Sequence, residues 1–159
     1  MDFVVSHWRV IDTNTHCQTV GQCFQQLKEW STRNKKHTPI LVMVEQKDGG
    51  IRKEQYTELD ELITSILGAE NIITPDSVRG NFVSLHQSIL SRKASGSSAW
   101  PTLENSQGKF ILVASSFESG YTADEFSHLS GRNFFVASNP RFINIFLINF
   151  FLLILFFYF

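Results

Sequence analysis

The run Ile40-Leu41-Val42-Met43-Val44 narrows the choice of fold more than any other stretch of the chain. It follows Pro39, passes into Glu45-Gln46-Lys47-Asp48 and stops at Gly49-Gly50. Five consecutive apolar residues are too few for a helix and read as a short strand buried on both faces. Such strands belong to parallel sheets covered by helices. In those folds ligands gather where the carboxyl ends of the strands emerge, and Glu45 and Asp48 occupy that end. A charged strand end is also an ordinary solvated cap, so the pattern by itself leaves both readings open.

The flanking segments supply the helices and further strands that such a sheet requires. Phe3-Val4-Val5-Ser6 reads as a strand that delivers His7 to its far end, where imidazole chemistry near neutral pH has its place. Thr19 with Gln22 has the form of a capping box. Behind it Val20, Cys23, Phe24, Leu27 and Trp30 fall on one helical face, and Asn34-Lys35-Lys36 ends the helix. Cys17 and Cys23 are near enough in sequence to close a disulfide, which requires an oxidising compartment; two free buried thiols fit the pattern equally. Thr57 is the expected cap of a second helix, with Leu59, Leu62, Ile63, Ile66 and Leu67 as its stripe and Gly68 as its terminator. On that reading Glu58, Asp60 and Glu61 are solvated residues of the first turn.

Beyond it, Ile72-Ile73 is a short apolar segment and Thr74-Pro75-Asp76 a turn. Phe82, Leu85, Ile89 and Leu90 suggest an amphipathic helix, Ser91 to Ser98 a flexible loop, and Trp100-Pro101-Thr102-Leu103 the start of a short helix. Lys109 to Ser115 is a second buried strand. Thr122-Ala123-Asp124-Glu125 can cap a helix with Phe126 and Leu129 on its apolar face, and Asn133 to Ser138 is a further strand. Strands alternating with helices define an α/β fold with a parallel sheet. With 14 basic and 15 acidic residues the chain has no cationic excess, so nucleic-acid binding, which neutralises phosphates with Lys and Arg, finds little support. Met1 to Val5 does not have the form of a signal peptide.

Several of these segments together resemble a known family. They are Val5-Ser6-His7, Thr15-His16-Cys17-Gln18-Thr19, Cys23 to Ser31, and His37-Thr38-Pro39-Ile40 leading to Glu45-Gln46-Lys47-Asp48. Ile73-Thr74-Pro75-Asp76-Ser77-Val78-Arg79-Gly80, Trp100-Pro101-Thr102-Leu103 and Gly108-Lys109-Phe110-Ile111-Leu112-Val113 continue the series. In this order, from Val4 to Pro140, they resemble the calcium-dependent phosphoinositide-specific phospholipase C family of PLC-like phosphodiesterases. The resemblance implies a TIM-type (β/α) barrel, of which residues 1–140 would form a part. It also implies cleavage of the phosphodiester between diacylglycerol and inositol phosphate, with two histidines and a Ca2+ ion. His7 matches the histidine that protonates the departing glycerol oxygen, and Glu45 the calcium carboxylate on the next strand. Lys47 and Asp48 lie in the same motif, near metal or substrate. The expected partners are a phosphatidylinositol-type lipid and a membrane surface.

The departures from the family also carry expectations. Its first histidine and two further acidic ligands come from strands before the one with His7, and no residues here match them, so the site is expected to be incomplete. Signalling members place two lysines where this chain has Val113 and Ser115, which argues against a polyphosphorylated head group. His16, His37, His86 and His128 match no functional position of the family. After Arg141 the composition changes: residues 142–159 hold seven phenylalanines and no charge, and as a helix would reach about 27 Å, near the hydrocarbon thickness of a bilayer. A membrane anchor and a read-through of A/T-rich non-coding sequence both fit. The expected location is membrane-associated or secreted. The expected function is a lipid phosphodiesterase domain or, as the alternative, an inactive membrane-associated fragment that binds lipid or a partner.

Overall fold

The computed structural model describes residues 3–5, 16–47, 52–115, 117, 121, 128–137 and 151–158. Six strands form one sheet: β1 (Val4–Val5), β2 (Ile40–Gln46), β3 (Ile72–Ile73), β4 (Phe110–Ser115), β5 (Phe134–Ala137) and β6 (Phe151–Tyr158). The helices are α1 (Val20–Arg33), α2 (Lys53–Leu67), α3 (Pro75–Arg79), α4 (Leu85–Ala94) and α5 (Leu103–Ser106), with a 3-10 turn at Ala69–Asn71. The strand order is β1-β6-β2-β4-β3, and β5 also pairs with β4. β2 and β4 run parallel from Ile40↔Phe110 to Glu45↔Ser115. β3 pairs with the start of β4 and β5 with the rest, both parallel to it. The mixed α/β architecture with a parallel sheet is the one the alternating pattern predicts.

Side-chain alternation assigns the two faces of the sheet. Ile40, Val42 and Val44 of β2 pack with Phe110, Leu112 and Ala114 of β4 beneath Val20 and Phe24 of α1 and Tyr56, Leu59, Ile63 and Leu67 of α2. Leu41 and Ile111 face the other way and pack with Ile73, Val78 and Ala99. Burial on both faces explains why β2 reads as an unbroken apolar run.

Local chemistry sets the helix ends. Thr19 accepts from the Gln22 amide at 3.3 Å and Gln22 Oε1 accepts from the Gln18 amide at 3.0 Å. Thr74 caps α3 with Pro75 in the first helical position, where its missing N–H costs nothing, so the expected turn is a short helix. Gly108 connects α5 to β4 at φ +73°, and a Cβ there would lie 2.7 Å from the Lys35 carbonyl oxygen, a place only glycine fits. Cys17 and Cys23, both buried, form a disulfide beside the start of α1.

Four expectations are corrected. α2 begins four residues earlier than Thr57, because Gln55 Oε1 reaches back to the Arg52 amide at 3.1 Å and opens the helix there. Asp60 therefore sits in mid-helix and is buried, in line with Tyr56, Ile63 and Leu67. Trp30, expected on the buried face of α1, is 42% exposed and stacks on His37 at 5.0 Å. α4 starts at Leu85, capped by Ser84, and continues through Ala94 where a loop was expected; it buries Ser88 and leaves Ile89 and Leu90 exposed. In the C-terminal segment, for which a membrane anchor and read-through sequence were both left open, 151–158 is a strand, parallel to β2 from Ile40↔Phe151 to Gln46↔Phe157. Aromatic and β-branched residues suit a pleated surface, and the edge of β2 supplies the hydrogen bonds. Among the described residues no helix is long and apolar enough to cross a membrane.

Candidate active site

The carboxyl ends of β2 and β4 hold the sequence-predicted residues that the structure describes. Glu45 shares the face of Leu41 and Met43 by alternation and stands in register with Ser115 on β4. Its Oε1 is 2.6 Å from Lys47 Nζ, and the two side chains are 26% and 29% exposed. Glu45 is thus a carboxylate at a strand end, reachable from solvent and held by a cation that a bound metal ion would have to share or displace. His7 and Asp48 lie outside the described residues. The strand before His7 differs from expectation: β1 pairs antiparallel with β6, Val4↔Tyr158 and Val5↔Phe157, and β6 separates it from β2. Among the described residues, β1 is therefore not a direct neighbour of β2.

Beneath this rim the backbone is fixed by aromatic packing. The Tyr56 hydroxyl donates to Gln46 Oε1 at 2.6 Å, tying α2 to the last residue of β2. Phe117, just past β4, packs tilted against Tyr56 and edge-to-face against Tyr121, at 5.1 Å each, and tilted against Phe134 at 5.4 Å. Aromatic pairs of this kind contribute about 0.5–1.5 kcal/mol each beyond area burial. On the face of Glu45, Trp100 lies 5.1 Å from Phe135, with Val113 in the same cluster.

A buried polar network escapes the sequence reading. Asp60 Oδ2 pairs with Arg132 at 3.1 Å, and Asp60 Oδ1 accepts from the Tyr121 hydroxyl and the Asn133 amide, each at 3.2 Å. Arg132 Nε donates to the Tyr121 carbonyl at 3.0 Å, and its guanidinium lies 4.4 Å from the centre of that ring. The Phe134 amide donates to the Tyr121 hydroxyl at 2.9 Å. Burial pushes the Asp60 carboxyl up to about 6, against the pull of the Arg132 charge and the donors around it. Burial, and then the Asp60 charge, push the Tyr121 phenol upward as well. The signal was present in the sequence: Tyr56, Asp60, Ile63 and Leu67 fall at helical steps on one face, which marks Asp60 as buried.

The other histidines find structural places. His37 Nδ1 lies 2.6 Å from the Thr38 carbonyl, to which it donates, and Nε2 shares a hydrogen bond with Ser31 Oγ, 2.8 Å away. His16, His86 and His128 are exposed.

A helix-covered parallel sheet with a carboxylate at the end of a doubly buried strand defines the class: an α/β domain of the kind that works from its strand ends. A family model described as phosphoinositide phospholipase C, Ca2+-dependent, matches residues 2–144. The chain belongs to that family. The fold is similar to solved structures of a calcium-dependent phosphoinositol-specific phospholipase C from a Gram-negative bacterium, Pseudomonas sp. The apo form with myo-inositol matches at 22% identity and a TM-score of 0.56, covering 75% of this chain and 42% of that one. An apo crystal form of the same protein matches at 22% identity and a TM-score of 0.57, covering 77% and 43%. The chain thus spans about two fifths of the length of those structures. No curated protein sequence matches.

The family is calcium-dependent, and the donor set can be tested against that ion. Calcium takes about six to eight oxygen ligands, carboxylates foremost. Among the described residues no group of three or more His, Cys, Asp or Glu could hold a metal ion. Glu45 offers one hard carboxylate ligand of the several that the ion takes, so the described rim would supply only part of a calcium shell.

Proposed function

We propose that the chain is part of a TIM-type barrel whose complete form cleaves phosphatidylinositol-type lipids by phospholipase C chemistry. The observation that carries this reading is the position of Glu45, at the carboxyl end of β2 within a chain that belongs to the calcium-dependent family. Glu45 would hold Ca2+, with Lys47 and Asp48 close to the metal or the head group. Bound calcium supplies positive charge to offset the charge that builds on the phosphoryl oxygens. His7 would hold the proton that the departing glycerol oxygen takes up as the inositol 2-hydroxyl attacks phosphorus. Val113 and Ser115 offer no cation to a ring phosphate, which favours an unphosphorylated inositol. The disulfide between Cys17 and Cys23 supports an oxidising, secreted or membrane-associated location.

The test is calcium-dependent diacylglycerol release from phosphatidylinositol vesicles. The chain, a version extended upstream, and the extended version with His7→Ala are compared. The extended protein is expected to turn over, its His7→Ala variant to lose that activity, and the present chain to show no appreciable release. Robust release by the extended His7→Ala protein would refute the role given to His7. A second reading, an inactive fragment that binds lipid or a partner, draws on the rim of described residues supplying one carboxylate.

A further inference from the structure

An open cleft of about 580 Å³ lies where α1 gives way to β2, walled by Trp30, Arg33, Asn34, Lys35, Lys36 and His37. Small-ligand sites typically measure about 300–1,000 Å³. The backbone of this turn is tied down on both sides. The His37 amide donates to the Asn34 carbonyl at 2.8 Å, and the Gly108 amide donates to the His37 carbonyl at 2.9 Å. The aromatic part of the wall is fixed as well. Both nitrogens of His37 are engaged, with the Thr38 carbonyl and Ser31 Oγ, and the ring backs Trp30 at 5.0 Å. Trp30 is held in place yet keeps 42% of its surface open. Cations complete the wall. Arg33, Lys35 and Lys36 are exposed, and among the described residues none of them pairs with a carboxylate. Glu29, one turn before Arg33, accepts from Gln25 Nε2 at 3.4 Å instead. The carboxyl end of α1 carries about half a negative charge, which a single cation offsets. The other two positive charges are unmatched.

We propose that this cleft binds a multiply charged anion carried on a flat ring, the chemistry of a nucleoside polyphosphate. The ring stacks on the open surface of Trp30. The phosphates meet Lys35 and Lys36 as point charges and the guanidinium of Arg33 as a fork. A lipid surface fits less well, although tryptophan and basic residues also mark membrane contacts. A bilayer is met by a protruding surface, and this one is hollow. Docking here would also turn Glu45 away from the lipid, since Glu45 lies five residues, about 16 Å, beyond Ile40 at the opposite end of β2.

Equilibrium dialysis of the full chain against ATP, with the Cys17–Cys23 disulfide closed and divalent ions removed by EDTA, tests the site. One ATP per chain is expected to bind saturably. It should bind at least about tenfold more tightly than adenosine, which lacks the phosphates, or tripolyphosphate, which lacks the ring. Lys35→Glu with Lys36→Glu changes only exposed side chains, so the thermal midpoint should stay in place while ATP binding weakens at least about tenfold. Trp30→Leu is expected to lower ATP to the affinity of tripolyphosphate and to leave tripolyphosphate unchanged, whereas a general loosening of the turn would weaken both. Should Trp30→Leu lower the thermal midpoint, the double lysine variant alone decides. Absence of saturable ATP binding, equal affinity for ATP and tripolyphosphate, or ATP binding untouched by the two lysine changes would each overturn the proposal. Binding of phosphatidylserine vesicles that is lost in the double variant and not competed by ATP would assign the cleft to a membrane surface and overturn it too. None of these readouts measures lipid hydrolysis, so this site and the phospholipase reading stand or fall separately.

Discussion

Asp60–Arg132 and Glu45–Lys47 are both carboxylate–cation pairs, at 3.1 Å and 2.6 Å, yet they do opposite work. The first is buried between α2, the β4–β5 connection and the start of β5. Every described oxygen of the Asp60 carboxylate has a donor, and the Arg132 guanidinium lies against the Tyr121 ring. The second stands at the end of β2, more than a quarter exposed on both sides. Taking a charge out of water costs several kcal/mol unless geometry and hydrogen bonds compensate, so the buried pair is committed to its partners. The rim pair is weakly held, because water screens it. A carboxylate that is to exchange a lysine for a metal ion has to be of the second kind.

The comparison breaks most visibly at Arg132. Arg132→Ala leaves the Asp60 carboxylate buried without its cation, and removing one partner of such a pair typically costs about 3–5 kcal/mol. Chemical denaturation should show a loss of that size, and a loss under about 1 kcal/mol would mean that water already reaches Asp60. Tyr121→Phe is expected to cost less. It removes a donor to Asp60 and an acceptor for the Phe134 amide while keeping the ring, for about 1–3 kcal/mol.

The dependence on pH sharpens the same point. The folded-state Asp60 carboxyl titrates at about 6, above its ordinary value of 3.8. Its contribution is therefore fully present below pH 3.8, falls as pH rises through about 6, and is constant above that. Denaturation midpoints for the parent and for Asp60→Asn, followed between pH 4 and 7, should diverge in slope within that window. Parallel curves would show that Arg132 outweighs burial.

How much of this was legible in the sequence follows from what each feature depends on. β2 and β4 announce themselves because burial on both faces demands uninterrupted apolar runs, and Ile40–Val44 and Phe110–Ala114 satisfy that demand locally. Glu45 was legible for the same reason, as the first charge after such a run. The true start of α2 was not, since Arg52 is a poor cap by type and Gln55 alone opens the helix. That error moved Asp60 into a solvated first turn and hid its partners Tyr121 and Arg132, which are 61 and 72 residues away along the chain. The strand character of 151–158 was equally hidden, because an apolar run reads as a helix or a strand until the edge it pairs with is known.

The smallest expected change in stability is at Glu45, and it separates the two pairs most cleanly. Glu45→Gln removes the charge but keeps the shape, and the lost contact with Lys47 is worth about 0–1 kcal/mol at such exposure. Thermal denaturation should hardly move. Calcium affinity, followed by terbium luminescence with calcium competition, should fall at least about tenfold, because the ion loses a charged oxygen ligand. If the denaturation midpoint dropped as far as in Arg132→Ala while terbium binding stayed unchanged, Glu45 would belong with Asp60 as a structural carboxylate. The rim of β2 would then have no claim on the metal.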